Sequence, residues 1–473
     1  MTYAVILAGG IGSRFWPFSR ELEPKQFLHV AGKSSLLQET IKRACSIIPA
    51  KNIFVISNKI YLHEIEKQSA GFRIPAENII LEPEGKNTAP AIGLCAKLIG
   101  DKDKDAVLVV MPADHYINSK DKFKDAIKKS INLAKNNYLV TVGIKPKSPS
   151  IGYGYIKVKG QNPKVKGQGL KVRVQKGCYI VDKFLEKPSL NKAKEYFKDK
   201  RFYWNSGIFI WRADIFLKEL RSYLPKLYSV LQSIKNVDGI SRVWHKIDAI
   251  SVDYGIMEHS KRIALVPARF YWTDLGSWDA LNEILPKDKK GNIIQADSLD
   301  VGSKGISVFS RSNRLISTIG VKDLIIADTS DALLVCHKDR AQEVKKIVDQ
   351  LKSRKRKEHF VHTTEKRHWG SYTVLQQSTG FKIKIIEIEP KKRLSLQKHS
   401  RRAEHWVVVT GVAKVTGPGG VKTVKSNESV YIPKNSLHRL ENPANSILKI
   451  VEVQTGTYLE EDDIQRFEDD FKR

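Results

Sequence analysis

From residue 1 to about 285, short apolar runs alternate with stretches whose apolar residues recur at helical spacing. Ala4–Leu7, Ile53–Ile56 and Val107–Met111 are nearly continuous apolar runs, as expected of strands buried on both faces. Leu37, Ile41, Ala44 and Ile48 mark a helical stripe, opened by the capping box Ser35-Leu-Leu-Gln38. Phe123, Ile127, Ile131 and Ala134 mark another, closed by Asn136-Asn137. This alternation predicts an α/β fold on a mainly parallel sheet.

After residue 285 the pattern changes. Gly305–Phe309, Arg314–Ile319 and Asp323–Ala327 alternate over short lengths and predict a small β region at 286–351. It closes with a helix carrying Val344, Ile347, Val348 and Leu351. The basic run Lys352-Ser-Arg-Lys-Arg-Lys357 opens a stretch, 352–366, that reads as a solvated linker in preference to a nucleic-acid patch. From Arg367 to residue 473 the pattern is all-β. Phe381, Ile383, Ile385 and Ile388 alternate with polar residues, and strands follow at Trp406–Val409, Val412–Val415 and Leu448–Val453.

A chain of 473 residues accommodates two or three domains, and 41% hydrophobic content excludes a disordered protein. Cys45, Cys95, Cys178 and Cys336 form no Cys-x-x-Cys pair, which predicts reduced thiols and a cytoplasmic protein. No basic segment precedes the first apolar run, so no signal peptide is expected. No run reaches the roughly 18 apolar residues of a membrane span. The net charge of +30 is spread over every region, as at Lys122, Lys124, Lys128 and Lys129, rather than gathered in one arm. Neither nucleic acid nor membrane is therefore the expected partner; phosphorylated ligands suit such a field.

The first strand runs straight into Leu7-Ala-Gly-Gly-Ile-Gly-Ser-Arg-Phe-Trp-Pro17 and on to Pro24-Lys25-Gln26-Phe27. Without Cβ atoms, Gly9, Gly10 and Gly12 let backbone N–H groups approach an anion, and Arg14 and Lys25 add positive charge. Roughly 25 residues of loop between a strand and its helix far exceed an ordinary connection, which points to a triphosphate site. A Rossmann fingerprint fails because its third glycine would be Phe15, and a Walker A loop fails because its first would be Phe27. A structural glycine turn stays compatible with the spacing. Pro112-Ala-Asp-His115 follows Val107–Met111, at the carboxyl end of a strand where ligands bind. Asp114 is there suited to hold Mg²⁺ between phosphate oxygens, or to cap a helix.

Gly-Gly-x-Gly-x-Arg followed by Pro-Lys-Gln resembles the opening of the sugar-nucleotide pyrophosphorylases. The wording Arg14-Phe-Trp-Pro-Phe-Ser-Arg20 resembles the bacterial mannose-1-phosphate guanylyltransferases, which often carry a C-terminal phosphomannose isomerase domain. The resemblance implies a Rossmann-like nucleotidyltransferase domain over 1–285, on a mainly parallel mixed sheet. It implies nucleotide contacts at Gly9, Gly10, Gly12, Arg14, Arg20, Lys25, Asn87 and Thr88. Asn87-Thr-Ala-Pro-Ala-Ile92 resembles the segment near the base, although on its own it is a polar loop before a helix and names no base. Gly152-Tyr-Gly-Tyr-Ile156, Phe184-Leu-Glu-Lys-Pro188 and Trp204-Asn-Ser-Gly-Ile-Phe209 imply a sugar-phosphate site at Gly152, Glu186, Lys187 and Asn205. On spacing alone Glu186-Lys187 is a charged turn. Ser251-Val-Asp-Tyr-Gly-Ile-Met-Glu258 also matches, and within Trp272-Thr-Asp-Leu-Gly-Ser-Trp-Asp279 the resemblance makes Asp274 the second Mg²⁺ aspartate beside Asp114.

In the last domain, 367–473, Gln397-x-His399, four residues, Glu404, six residues and Gly411 fit the first motif of a cupin, a double-sheet jelly roll. Pro433-x-Asn435-x-x-His438-x-x-x-Asn442 fits the second, with Asn435 in place of the usual glycine. Gln397, His399, Glu404 and His438 supply the N and O donors that hold Zn²⁺ or another divalent cation. Leu394-Ser-Leu-Gln397 and Ala403-Glu-His-Trp406 resemble the type II phosphomannose isomerases. Arg401 stands where that family has a histidine, while Arg402, its phosphate or catalytic arginine, is kept.

The resemblance thus implies a bifunctional enzyme. One domain makes GDP-mannose and pyrophosphate from GTP and mannose 1-phosphate, with Arg14 and Lys25 catalytic. The other interconverts fructose 6-phosphate and mannose 6-phosphate, with Arg402 catalytic. Homo-oligomerisation is left open. Two other readings stand beside it: a transferase whose barrel is a sugar-phosphate sensor or structural cap, argued from Arg401, and a nucleic-acid-binding protein, argued from charge alone.

Overall fold

The computed structural model describes residues 1–30, 32–159 and 177–468. The chain forms two compact units, Met1–Asp328 with Leu333–Arg354, and Thr329–Ala332 with Lys355–Arg473.

The first unit is built on β1 (Thr2–Leu7), β2 (Ile53–Asn58), β3 (Ile79–Glu82), β4 (Val107–Pro112), β5 (Tyr116–Ile117) and β6 (Leu139–Ile144). It continues with β7 (Tyr155–Val158), β8 (Tyr179–Leu185), β9 (Phe202–Arg212), β10 (Ile263–Pro267) and β11 (Trp272–Thr273). Nine of these make one sheet in the order β3-β2-β1-β4-β9-β6-β10-β8-β7, and β5 pairs with β11 beside it. β1 to β4 run parallel, as do β6 and β10, while β9 inserts antiparallel between β4 and β6. The apolar runs β1, β2 and β4 sit inside the sheet because both of their faces are covered. Val5, Leu108 and Val110 pack on one side, and Ala4, Ile6, Val107 and Val109 on the other.

Four helices cover the faces near the site: α1 (Leu36–Cys45), α2 (Leu62–Ser69), α3 (Thr88–Lys102) and α4 (Lys120–Lys135). α1 starts where the sequence places it. Ser35 Oγ accepts from Gln38 N–H at 3.1 Å, and Gln38 Oε1 accepts from Ser35 N–H at 3.1 Å. Leu37, Ile41 and Ala44 are buried against the sheet with Phe123 and Ile127 of α4.

The β region continues this unit. Ile293–Gln295, Ser307–Ser310 and Leu324–Asp328 pair in parallel, as do Ser298–Val301 and Ile316–Ile319. Successive rungs thus stack into a short β-helix, closed by helix Val344–Ser353. Val344 and Val348 are buried, whereas Ile347 of the predicted stripe is exposed.

The second unit is a double-sheet barrel. One sheet orders Thr364–Arg367, Gly370–Ser378, Phe381–Ile388, Leu448–Gly456, Arg402–Thr410 and Ser429–Ile432 side by side, and Gly420–Lys425, Val412–Gly417 and Arg439–Glu441 form another. One expectation is inverted here. On Phe381–Ile388 the buried residues are Lys382, Lys384, Ile386 and Ile388, not Phe381, Ile383 and Ile385. The barrel interior takes these polar side chains because each is satisfied there: Lys384 lines a charged cavity, and Lys382 donates to Leu459 O at 2.6 Å.

None of the four cysteines is in a disulfide. Among the described residues no helix is long and apolar enough to cross a membrane. Replacing Ser35 by alanine removes the cap of α1, and with it a buried hydrogen bond to Gln68. The expected loss is about 1 kcal/mol, read as a thermal midpoint lower by about 2 °C; an unchanged midpoint would contradict the capping role.

Candidate functional site

The long loop after β1 folds back over the carboxyl ends of β1 and β4. Gly12 has a φ of +66°, in the left-handed region, and a Cβ there would collide with Cβ of Lys25. Glycine is therefore required for the loop to close on Lys25. The Lys25 side chain is buried, and its ammonium donates to Asp274 O at 2.6 Å and Leu275 O at 3.0 Å. It also pairs with Asp114 Oδ2 at 2.5 Å. Burial opposes the charged form of Asp114, but the Lys25 ammonium beside it holds the carboxyl below its usual range. His115 is driven down to about 4 by burial, so it is neutral; its Nδ1 accepts from Trp272 Nε1 at 3.2 Å.

A cavity of about 280 Å³ opens beside this tie. It brings together Gly9, Gly10, Asn87, Thr88 and Asp114 of the expected residues, and adds Gln26 and Glu82. Asn87 caps α3, its Oδ1 accepting from Thr88 N–H at 2.8 Å, so the positive end of a 15-residue helix faces the cavity. Thr88 Oγ1 in turn accepts from Val252 N–H at 2.8 Å. Arg14 is exposed on the loop. Arg20 is placed differently: it is 1% exposed, with its guanidinium 5.4 Å from the Trp16 ring, beneath the loop and away from the cavity lining.

Glu82 went unassigned in the sequence. It ends β3, is buried, and its Oε1 has no hydrogen-bond partner among the described residues. Burial raises its carboxyl to about 7. Its signal was available: a carboxylate at the carboxyl end of a parallel strand, just before Pro83.

The residues expected to bind the sugar phosphate gather on the other flank. Tyr153, between Gly152 and Gly154, donates to Asp274 Oδ1 at 2.9 Å. Gly154 has no room for a Cβ, because Glu186 Oε2 occupies the space. Asn205 N–H donates to Gly154 O at 2.8 Å, and Asn205 Nδ2 to Asp253 Oδ1 at 2.9 Å. Lys187, at a φ of +44°, lies 3.5 Å from Glu186. Burial, then the charge of Asp253, raises Glu186 to about 7; burial raises Asp253 to about 6.

In the second unit His399, Glu404 and His438 converge, with ligand atoms within 4.8 Å of one another, and all are buried. Gln397 Nε2 lies 3.5 Å from His399 Nε2, and backbone bonds between Gln397 and His438 hold their two strands together. His438 Nδ1 faces Ser436 O at 2.8 Å and so carries the proton. Its Nε2 is left as a buried lone pair with no hydrogen-bond partner among the described residues, which fits a metal ligand. Around Glu404, Trp406 Nε1 donates to Oε2 at 3.1 Å, Gln454 Nε2 to Oε1 at 3.1 Å, and Arg402 Nε to Oε1 at 3.1 Å. Burial works against charge on Glu404, yet His399 and Arg402 keep its carboxyl far below the usual range.

The same two donors, Trp406 and Gln454, also bind Glu452, whose carboxyl burial and the Glu404 charge raise to about 8. Glu452, Gln454 and Lys384 line the cavity with Arg402, and none was singled out from the sequence. Arg401 is exposed, stacked 5.3 Å from the Tyr458 ring, outside the ligand set.

Three family models match the chain: Nucleotidyl transferase over residues 3–291, the MannoseP isomerase/GMP-like beta-helix domain over 291–351, and Mannose-6-phosphate isomerase C-terminal over 354–469. The chain is 40% identical to the mannose-1-phosphate guanylyltransferase of Salmonella muenchen, over 98% of this chain and 97% of that protein. It is 38% identical to the mannose-1-phosphate guanylyltransferase of Escherichia coli K12, over 100% of this chain and 98% of that protein. Among solved structures it is similar to one described as mannose-1-phosphate geranyltransferase from Thermus thermophilus. That match has a TM-score of 0.64 and 30% identity, covering 74% of this chain and 99% of the other.

Replacing His438 by alanine removes one imidazole from the buried donor set. Equilibrium dialysis with Zn²⁺ is expected to show tight binding in the parent and at least about tenfold weaker binding in the variant. Equal binding would contradict the ligand assignment.

Proposed function

The chain belongs to the mannose-1-phosphate guanylyltransferase family, and from that membership we propose how its two units act. The first transfers GMP from GTP to mannose 1-phosphate, forming GDP-mannose. The second interconverts fructose 6-phosphate and mannose 6-phosphate.

In the first unit a phosphate oxygen of mannose 1-phosphate attacks the α-phosphorus of GTP in line. The bond to pyrophosphate breaks, and pyrophosphate leaves with the electron pair. The nucleophile is already an anion, so positioning and charge neutralisation suffice. The N–H groups of Gly9, Gly10 and Gly12, with the α3 terminus at Asn87 and Thr88, receive the triphosphate. Arg14 and Lys25 offset its charge, and Arg20 supports the loop from beneath. Asp114 and Asp274 offer the two hard carboxylates that Mg²⁺ takes together with phosphate oxygens, and the ion, when bound, neutralises phosphate charge. Glu186 and Asn205 accept and donate to sugar hydroxyls, Gly152 and Gly154 let the backbone approach, and Lys187 pairs with the sugar phosphate.

Glu82 carries the preference for GTP. An ionised carboxylate offers two acceptors to the N1–H and N2–H₂ of guanine, whereas adenine presents an acceptor at N1. A buried oxygen beside Gly9 and Asn87, without a hydrogen-bond partner among the described residues, supports that reading.

In the second unit Gln397, His399, Glu404 and His438 hold Zn²⁺ or another divalent cation, which when bound polarises the substrate carbonyl. Arg402 stays beside Glu404 and balances its charge. A proton moves between C1 and C2 of the sugar phosphate. Arg401, turned out onto Tyr458, lends no support to a sensor or cap reading. The four free thiols support a reducing compartment, the cytoplasm.

The test is nucleotide-dependent pyrophosphate release with mannose 1-phosphate, for the parent and Glu82→Gln. The parent should use GTP well and ATP poorly. The glutamine variant should raise KM for GTP about tenfold at pH 8. Because the Glu82 carboxyl lies near 7, protonation below that pH removes an acceptor. The advantage of the parent over the variant should therefore shrink from pH 8 to pH 6. Identical KM values and pH profiles would overturn the assignment.

A further inference from the structure

Among its described residues, the glycine loop that receives the triphosphate has two three-residue 3₁₀ turns, Ser13–Phe15 and Lys25–Phe27, between β1 and α1. Its shape is set by what it leans on. Phe15 and Phe18 both pack on Trp278, with ring centroids 5.1 and 4.9 Å away. Trp278 is fully buried, and its Nε1 donates to Trp16 O at 2.9 Å. The Trp278 ring also meets Phe309 of the β-helix, at 5.1 Å between centroids. Two residues on, the Arg311 guanidinium lies 4.7 Å from the Phe18 ring and 3.5 Å from Glu23. Lys352 of the closing helix pairs with Glu21 at 2.6 Å. The loop is thus gripped between Gly12 and Lys25 by the β-helix and its closing helix, through one aromatic stack and two ion pairs.

We infer that the β-helix is a brace for the nucleotide loop, and that Arg311 and Phe309 are positioning residues for nucleotide binding. The inference rests on the guanylyltransferase reading above. Neither side chain lines the nucleotide cavity, so their effect passes through Phe18, Glu23 and Trp278 to the backbone of Gly9–Gly12. A cation packed on a ring face and joined to a carboxylate fixes both groups it touches. Loosening it gives the loop freedom that must be removed again when the triphosphate binds, and the loss falls on nucleotide affinity. Mannose 1-phosphate, bound on the Glu186 flank, is indifferent to it.

The test uses the full chain and three variants, Arg311→Ala, Arg311→Lys and Phe309→Leu. The equilibrium Kd for GTP is measured together with both KM values of the transferase and the isomerase turnover of the same samples. Arg311→Ala and Phe309→Leu should each weaken GTP binding about tenfold, while KM for mannose 1-phosphate and the isomerase rate stay within about twofold. Arg311→Lys keeps the charge opposite Glu23 and over Phe18, and should recover most of the loss. GTP affinity unchanged in folded Arg311→Ala and Phe309→Leu overturns the brace. So does a uniform fall in both KM-derived affinities and in isomerase rate, since that reports general destabilisation. Parent protein that binds GTP yet releases no pyrophosphate counts against the transferase reading alone, because the Kd comparison still decides the brace.

Discussion

The buried ammonium of Lys25 is the contact on which the first unit's site depends. A lysine taken out of water needs several oxygens around it, and here three converge: the Asp114 carboxylate and the carbonyls of Asp274 and Leu275. Those oxygens come from the carboxyl end of β4 and from a segment 250 residues beyond Lys25 itself. Satisfying one charge therefore joins the glycine loop, the sheet and the second aspartate. The left-handed Gly12 follows from the same contact, because Lys25 fills the space a side chain would need. With that corner fixed, Tyr153 reaches Asp274 and ties the proposed sugar flank to the proposed nucleotide flank.

The second unit solves a related problem with a different device. Glu404 and Glu452 are neighbouring buried carboxyls, and two shared donors, Trp406 and Gln454, clamp them together. The environment pushes their proton affinities apart: Glu404 is held ionised by His399 and Arg402, while Glu452 is raised. The result is a fixed carboxylate beside two imidazoles, one of which keeps its proton on Nδ1 and donates it to a backbone carbonyl. Such a donor set is rigid before any ion arrives.

Much of this was legible in the sequence, and the exceptions share a cause. The capped helix at Ser35, the doubly buried strands and the convergence of His399, Glu404 and His438 follow from local patterns or short motifs, and their spacing carries them. Arg20 could not be placed by spacing, because its burial under Trp16 depends on a loop path that only the tertiary fold defines. On Phe381–Ile388 the alternation is clear but its direction is not. A strand that presents Lys384 to a charged cavity turns its apolar parity outward. Glu452 was in reach of the same logic, since it shares parity with Leu448 and Ile450 on Leu448–Gly456. Glu82 was likewise in reach, as a carboxylate closing a parallel strand, whereas Trp278 makes its contacts with partners remote in sequence, which no local pattern reveals.

The most direct measurement is pyrophosphate release from GTP and mannose 1-phosphate by Lys25→Met, with isomerase turnover of the same sample as the control for folding. Methionine keeps the length of the side chain and deletes the charge. If the lysine both closes the loop and offsets phosphate charge, kcat/KM should fall by about 10² or more while the isomerase rate holds. Transferase turnover within about threefold of the parent, in a folded sample, would contradict the account at its centre.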